Sequence, residues 1–252
     1  MVISMVAVYT LPIERNDKII NFDENGNYFE GDMNLNPNQL ESIVNPKTRN
    51  GISNEKYRWP NRAVYYFIDK KYFNESQVMY ILKGLRTISS ETCIRFYPWS
   101  EDVNDYVNIT GRTEGCYSSV GRQGGMQILN LKPYEVGTGC FRLGTIIHEM
   151  IHALGFYHQQ SAADRDLYIK IVDENISEGK HSNFFKYNSS FVSDYQISYD
   201  YDSIMHYSFY AFSKNGMKTI ESLDEDIQVG QRDKMSDKDI KKLNLMYECK
   251  RL

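Results

Sequence analysis

The feature that most constrains the fold is a concentration of histidines in one short stretch. The chain has five histidines among 252 residues, and three of them lie in the stretch HEMIHALGFYHQQ, which begins at His148. His148 and His152 are four residues apart, so on a helix their side chains share one face. Apolar residues recur through the surrounding segment FRLGTIIHEMIHALG, at Ile147, Met150, Ile151 and Leu154. This spacing predicts a helix with one buried stripe.

The histidine spacing is typical of a catalytic zinc site. Glu149 lies one step around the helix from His148, beside the metal, where it can accept a proton from a water molecule. Gly155 can adopt a positive φ, end the helix and turn the chain so that His158 becomes a third ligand. Three neutral imidazoles leave an open coordination position, where zinc lowers the pKa of water to about 7 and polarises a carbonyl. We therefore predict one zinc ion bound by His148, His152 and His158.

Other interpretations of the stretch are weaker. The short pattern H-E-x-x-H arises by chance in many proteins, but H-E-x-x-H-x-x-G-x-x-H on an amphipathic helix is far more specific. A thermolysin-type site would take its third ligand from a glutamate on a later helix, whereas the third histidine here is local. A structural zinc domain needs four closed ligands. For that set the sequence offers only His181, expected at the surface, and His206, expected to be packed.

Composition excludes some partners and favours export. The net charge is −4, and no Lys/Arg cluster interleaved with aromatic residues suggests nucleic-acid binding. No apolar run approaches the ~18 residues of a membrane-spanning helix, and we take a monomer as the expected state. The even count of four cysteines and the Asn-x-Ser/Thr sites suit a secreted, disulfide-bonded, glycosylated protein. Those sites are at Asn74, Asn108, Asn175 and Asn188.

The chain divides into three segments. Residues 1–12, MVISMVAVYTLP, are apolar enough for a shortened signal peptide, although without a basic start or a clean cleavage site they also suit a merely apolar start. Residues 13–49 are rich in Asn, Asp and Glu, with one short helix expected at NPNQLESIV, and end at the accessible basic residue Arg49. In residues 50–252, strands come first and helices later without β-α-β repetition, which predicts the α+β class.

Two stretches resemble the astacin family of metzincin zinc endopeptidases. HEMIHALGFYHQQSAADRD resembles the family's extended zinc signature, and YDYDSIMHY is similar to its methionine turn. The resemblance implies a two-subdomain zinc protease that cleaves protein or peptide substrates, with a twisted sheet and an active-site helix. It implies that Met205 forms an apolar floor under the zinc. It also implies that Tyr207 is an additional zinc ligand at rest, which swings away to hydrogen-bond the transition-state oxyanion. Without the resemblance, Met205 and Tyr207 would be interpreted as core and surface residues.

The resemblance also implies a latent precursor. YFEGD resembles the family's prodomain motif Phe-x-Gly-Asp, so that Asp32 would place its carboxylate on the zinc; from the residues alone, Glu-Gly-Asp predicts a surface turn. An activating protease would then cut near Arg49, and residues 50–252 would be the catalytic domain. Only KRL follows Cys249 in the sequence, so we expect a minimal zymogen without accessory modules.

Three further features follow from the same resemblance. The implied disulfides are Cys93–Cys249 and Cys116–Cys140, although four cysteines alone allow three connectivities. GCYSSVGRQGGMQILNL resembles the segment that leads into the family's substrate-binding edge strand, and we expect MQILNL to bind extended substrate through its backbone. Arg232 resembles the basic residue of an S1′ pocket that prefers Asp or Glu after the cleaved bond, although an arginine is more often a solvated surface charge.

The chain departs from the family pattern at two positions. Gln159 stands where the family has a glutamate that bonds the new N-terminus made by activation, and Ala162 stands where the family usually has an arginine. Neither change touches the three histidines, Glu149 or Tyr207, so we expect activity. The alternative is a catalytically weak or inactive zinc-bound protein of the same fold that binds peptides.

Overall fold

The computed structural model describes residues 26–44, 55–187 and 193–250. The expected signal peptide at residues 1–12, the cleavage site at Arg49 and the sequon at Asn188 lie outside these ranges. Within the described residues no helix combines the length and apolarity that a bilayer crossing needs.

A six-stranded sheet forms one half of the molecule. Its strands are β1 (Met33–Asn34), β2 (Ala63–Ile68), β3 (Arg95–Pro98), β4 (Tyr106–Thr110), β5 (Cys116–Ser119) and β6 (Met126–Leu131). The spatial order is β1-β5-β6-β4-β2-β3, and every neighbouring pair is parallel except β5 and β6. The mixed helix and sheet composition agrees with the predicted class.

Four α-helices and a small second sheet complete the described fold. The helices are α1 (Pro37–Val44), α2 (Glu75–Glu91), α3 (Leu143–Ala153) and α4 (Asp237–Met246), and β7 (Ile169–Ile171) pairs antiparallel with β8 (Ile220–Ser222). Capping boxes start α2 at Asn74 and α4 at Ser236, which satisfies their first backbone N–H groups. Because β2 and β3 are parallel and α2 connects them, the chain contains a β-α-β unit, and the expectation of no such repetition was wrong for this segment.

Hydrophobic side chains form two separate clusters. One lies among the sheet, α2, α3 and α4, and the other around β7, β8 and the chain between residues 199 and 229. Helix α3 is more buried than a single apolar stripe predicts, because every residue from Gly144 to Ala153 is buried. On one side α3 packs closely on α2, where a Cβ at Gly84 would lie 2.8 Å from Cγ2 of Ile146.

The position of the expected substrate-binding edge strand needs correction. Strand β6, the MQILNL segment, is hydrogen-bonded to β4 on one side and β5 on the other. Strand β5, the CYSS segment, pairs antiparallel with the outer side of β6. Strand β1 of the N-terminal segment pairs in turn with the outer side of β5. Strand β6 is therefore an interior strand, and on this side of the sheet only β1, among the described strands, lies outside β5. The two disulfides confirm the implied pairing, Cys93 with Cys249 and Cys116 with Cys140.

Candidate metal centre

Helix α3 and the turn after it position the three histidines. Gly155 has a φ of 111°, and its N–H donates to the carbonyl of His152 at 2.8 Å, so the helix ends there and the chain turns back. The Nδ1 of His148 lies 2.8 Å from the carbonyl oxygen of Ile204, and the Nδ1 of His152 lies 2.7 Å from that of Phe156. These acceptors fix Nδ1 as the protonated nitrogen, which leaves Nε2 for a metal ion.

The Nε2 atoms converge on the carboxylate of Asp32. Its Oδ2 lies 3.0 Å from Nε2 of His148 and 3.3 Å from Nε2 of His158, and its Oδ1 lies 3.4 Å from Nε2 of His152. All four side chains are fully buried, and their ligand atoms lie within 4.8 Å of one another. The N-terminal segment therefore places a carboxylate at the point the three imidazoles share.

The donor set fits a zinc ion. Asp32 Oδ1 and His158 Nε2 are buried without a hydrogen-bond partner, which is costly unless a cation sits between them. Three imidazole nitrogens and one carboxylate oxygen form a tetrahedral set that zinc accepts. Among the described residues, these four side chains are the one set of three or more histidine, cysteine or carboxylate groups whose ligand atoms lie close enough together to hold a metal ion. His181 is exposed, and His206 is packed with its Nε2 2.7 Å from the Tyr199 hydroxyl, so neither supports a structural zinc site.

The charges around the histidines favour a cation. Burial alone would raise the pKa of Asp32, but the imidazoles of His158, His152 and His148 hold that pKa well below its usual range. Burial lowers the pKa of His158, yet the carboxylates of Asp32 and Glu30 raise it to about 10. Two carboxylates from the N-terminal segment thus stabilise positive charge at the centre.

Glu149 and the methionine turn lie against this centre. Glu149 is fully buried in α3, next to His148 in sequence. The methionine turn supplies the carbonyl of Ile204 to His148, and the carbonyl of Met205 accepts the N–H of Gln159 at 2.9 Å. Asp239, at the start of α4, accepts the N–H of Ile204 at 2.9 Å and so holds the turn in place. Met205 itself is buried, which fits both interpretations, a packed core residue and an apolar floor under the metal.

Tyr207 is buried rather than a surface residue. Its ring centroid lies 4.7 Å from that of His158, and its hydroxyl donates to the main-chain carbonyl of Glu30. In this arrangement the N-terminal segment holds the tyrosine hydroxyl.

Glu30 has contacts at the centre that the sequence motif did not indicate. Its carboxylate accepts hydrogen bonds from Nδ1 of His158 at 2.8 Å, from the hydroxyl of Ser161 at 2.9 Å and from the hydroxyl of Tyr187 at 2.5 Å. The only available signal was its place in the motif YFEGD, and the interpretation of Glu-Gly-Asp as a surface turn is wrong because Glu30 and Asp32 are both fully buried.

Arg232 is buried, so its interpretation as a solvated surface charge is wrong. It is 4% exposed, and its guanidinium donates to the carbonyls of His206 and Gln231 at 3.0 Å each. The backbone at Arg232 packs on the start of α3, where a Cβ at Gly144 would lie 1.9 Å from the Arg232 carbonyl oxygen. Burial, followed by the positive charge of Arg232, lowers the pKa of His148 to about 4. Through the carbonyl of His206 the guanidinium contacts the methionine turn, which also supplies the Ile204 carbonyl that lies against Nδ1 of His148.

The two departures from the family pattern are accommodated locally. The side-chain oxygen of Gln159 accepts a hydrogen bond from the ammonium group of Lys242, a lysine whose pKa is lowered by burial. The ammonium group of Lys242, in α4, is therefore a cationic hydrogen-bond donor to Gln159 in this structure. Near Ala162, Arg165 holds the zinc-binding loop by donating to the carbonyl of Gln160 at 3.1 Å.

Comparisons with known proteins match the chain to zinc proteases in sequence and in fold. The family model for Astacin, a peptidase family, matches residues 51–248. Seminal metalloprotease 1 of Drosophila melanogaster is 41% identical over 226 residues, which are 88% of this chain and 87% of that protein. Meprin A subunit beta of Rattus norvegicus is 41% identical over 233 residues, which are 91% of this chain but 30% of the relative. The structure of high choriolytic enzyme 1, a hatching enzyme zinc-protease from Oryzias latipes, has a TM-score of 0.71 and 34% identity, and the match covers 78% of this chain and 97% of that one.

Proposed function

We propose that this chain, which belongs to the astacin family and is a zinc metalloendopeptidase, is a secreted enzyme made in a latent form. Residues 13–49 form its prosegment and residues 50–252 its catalytic domain. Asp32 blocks the zinc site, and cleavage near Arg49 activates the enzyme. The observation that carries the proposal is the buried carboxylate of Asp32 at 3.0 to 3.4 Å from the Nε2 atoms of the three histidines. Two disulfides support the secreted location.

Each group of the site has a defined task in peptide hydrolysis. His148, His152 and His158 would hold the zinc ion, which when bound would polarise the scissile carbonyl as a Lewis acid and lower the pKa of water. Glu149 accepts the proton of the attacking water and later returns it to the leaving amine, a task suited to a buried carboxylate. Tyr207 donates its hydroxyl to the oxyanion that develops on the carbonyl oxygen.

Substrate binding and latency use the same sheet edge. The N–H of Ser118 in β5 donates to the carbonyl of Asp32 at 2.9 Å, and β1 continues along this strand. An extended substrate would pair with the β5 backbone, so the prosegment and a substrate exclude one another. Departure of the prosegment frees the strand edge, the histidines and the hydroxyl of Tyr207 together.

The proposal is tested by trimming the secreted chain at Arg49 with trypsin. Cleavage of quenched fluorescent peptides is then measured before and after trimming, with and without 1,10-phenanthroline. We expect cleavage that appears only after trimming and disappears with the chelator. Equal cleavage before trimming would contradict the latent form. No cleavage across a broad peptide library, with zinc bound and the prosegment gone, would instead identify a peptide-binding protein.

Arg232 is proposed to select acidic residues immediately after the cleaved bond. We expect Arg232→Gln to reduce the ratio of kcat/KM for an Asp-P1′ peptide to that for an Ala-P1′ peptide by about tenfold or more, because a hydrogen bond to a charged group contributes about 1.5–3 kcal/mol. Using a ratio removes any loss of folded enzyme, since both peptides are measured on the same preparation. An unchanged ratio would leave Arg232 with a packing role between α3 and the methionine turn.

A further inference from the structure

The carboxylate of Glu30 occupies a cradle built entirely from the catalytic domain. His158, Ser161 and Tyr187 each direct one donor at it, over distances of 2.5 to 2.9 Å. Glu30 is fully buried, and a buried carboxylate is stable only when its oxygens are hydrogen-bonded or paired in this way. The cradle is therefore a built carboxylate-binding site next to the metal centre.

The backbone of the prosegment is shaped to fill two positions at once. Glu30 and Gly31 have φ values of 45° and 88°, in the left-handed region. Glycine adopts this conformation without cost, whereas a glutamate does so at some strain. The resulting tight turn places the carboxylate of Glu30 in the cradle and that of Asp32 among the Nε2 atoms.

His158 differs from the other two histidines in where its Nδ1 partner comes from. His148 and His152 use main-chain carbonyls of the catalytic domain, but the acceptor for His158 Nδ1 is the prosegment side chain of Glu30. An acceptor at the distal nitrogen fixes the tautomer, orients the ring and makes the metal-binding nitrogen more basic. Ser161 and Tyr187 in turn fix the position of this acceptor.

We propose that Glu30 is a positioning residue for the zinc site of the latent chain: it occupies a carboxylate cradle of His158, Ser161 and Tyr187 and orients His158 for the metal. The inference rests on the proposed latent form, but Glu30 acts at Nδ1 of His158, on the side of the ring away from Asp32. Activation removes both the ligand Asp32 and the positioning group Glu30. The latent chain therefore holds zinc more tightly than the trimmed enzyme for two separable reasons.

The test measures zinc affinity of the untrimmed chain by competition with a chromophoric chelator. Glu30→Gln keeps the shape of the side chain but removes its charge, and its amide can still bond the two hydroxyls. Its neutral amide oxygen is a weaker acceptor for Nδ1 of His158 than the carboxylate is. Because mutating such an outer partner costs about 10- to 100-fold in metal affinity, we expect a loss of about tenfold from this conservative change. The measurement is repeated in an Asp32→Asn background, where we expect the same loss. A loss that vanishes in this background would overturn the inference, because Glu30 would then act only by placing Asp32.

A matched control separates positioning from general loosening of the prosegment. Gln39 is buried in α1; its side chain donates to the carbonyl of Val120 at 2.8 Å and accepts the N–H of Asn36 at 3.0 Å, and neither partner is one of the three histidines. Gln39→Ala should leave zinc affinity within about threefold of the parent, well below the about 10- to 100-fold loss expected for a lost outer partner. An equal loss in Gln39→Ala and Glu30→Gln would contradict a specific role for Glu30.

The remaining outcomes keep this inference distinct from the latent-form proposal. If Glu30→Gln fails to fold, Glu30→Asp keeps the charge but is one methylene too short to reach Nδ1 of His158, and we expect the same loss of zinc affinity from it. Full zinc affinity in a folded Glu30→Asp chain would overturn the inference. If Asp32→Asn changes neither latency nor zinc affinity, the proposed latch fails, while the Glu30 variants still decide whether His158 depends on its prosegment acceptor.

Discussion

Glu149→Gln will abolish peptide hydrolysis by the trimmed enzyme while one zinc ion per chain remains bound. The carboxylate is fully buried in α3 beside the histidine ligands, and a positioned general base contributes about 10²- to 10⁴-fold to a hydrolytic rate. We expect kcat to fall by at least about 10³-fold, since the same group serves as base and then as acid. Glutamine keeps the volume of glutamate, so it leaves no cavity in a helix that is buried on all sides.

For each variant, kcat is measured on a quenched fluorescent peptide, and the zinc content of the same preparation is measured by atomic absorption. Glu149→Ala is the second variant, and it should give the same loss of turnover with zinc still present. If zinc and turnover disappear together in both variants, Glu149 supports the metal site rather than acting as the base. If turnover stays within about tenfold of the parent, below the usual contribution of a general base, another group accepts the proton.

Local sequence patterns were sufficient to predict the helices and strands whose own residues show a periodic or compositional preference. Helix α2 has apolar residues at helical spacing and a capping box at Asn74, and β2 is rich in the β-branched and aromatic residues that favour strands. Strand β5 was not predicted because its four residues, CYSS, carry little apolar pattern and are buried only through their neighbours. Strand β1 has two residues, and its existence depends on pairing with β5. The expectation that β6 binds substrate came from the family resemblance of GCYSSVGRQGGMQILNL, which did not indicate that the CYSS strand pairs outside β6.

The residues of the metal centre also fall into two groups, those that local sequence predicts and those that come from distant segments. The three histidines and Glu149 are close in sequence, so helical geometry together with the turn at Gly155 was sufficient to predict that they meet. Asp32 is 116 residues from His148, and Glu30 is 157 residues from Tyr187, separations at which no local periodicity exists. Family resemblance indicated Asp32, Met205 and Tyr207. It did not indicate Glu30, whose role depends on a cradle assembled by tertiary packing.

Asp32→Asn will make the untrimmed chain hydrolyse peptides without cleavage at Arg49. Asparagine has the same shape as aspartate, but it lacks the negative charge that the imidazoles and a metal cation hold in the buried site. Removing one member of a buried charge pair costs about 3–5 kcal/mol, so the equilibrium constant that favours the blocked state should fall by about 10²- to 10⁴-fold. Activity should still remain below that of the trimmed enzyme, because β1 covers β5 and Glu30 holds Tyr207.

The comparison uses untrimmed Asp32→Asn and untrimmed parent, each combined with Arg49→Ser to prevent cleavage at the activation site. Intact mass after the assay verifies that no shortened chain produced the signal. Glu41→Gln is the matched control, since Glu41 lies in the same prosegment but is exposed on α1, and it should stay as silent as the parent. If Asp32→Asn is also silent while its trimmed form is fully active, pairing of β1 with β5 is sufficient for latency, and the carboxylate at the histidines is not the latch.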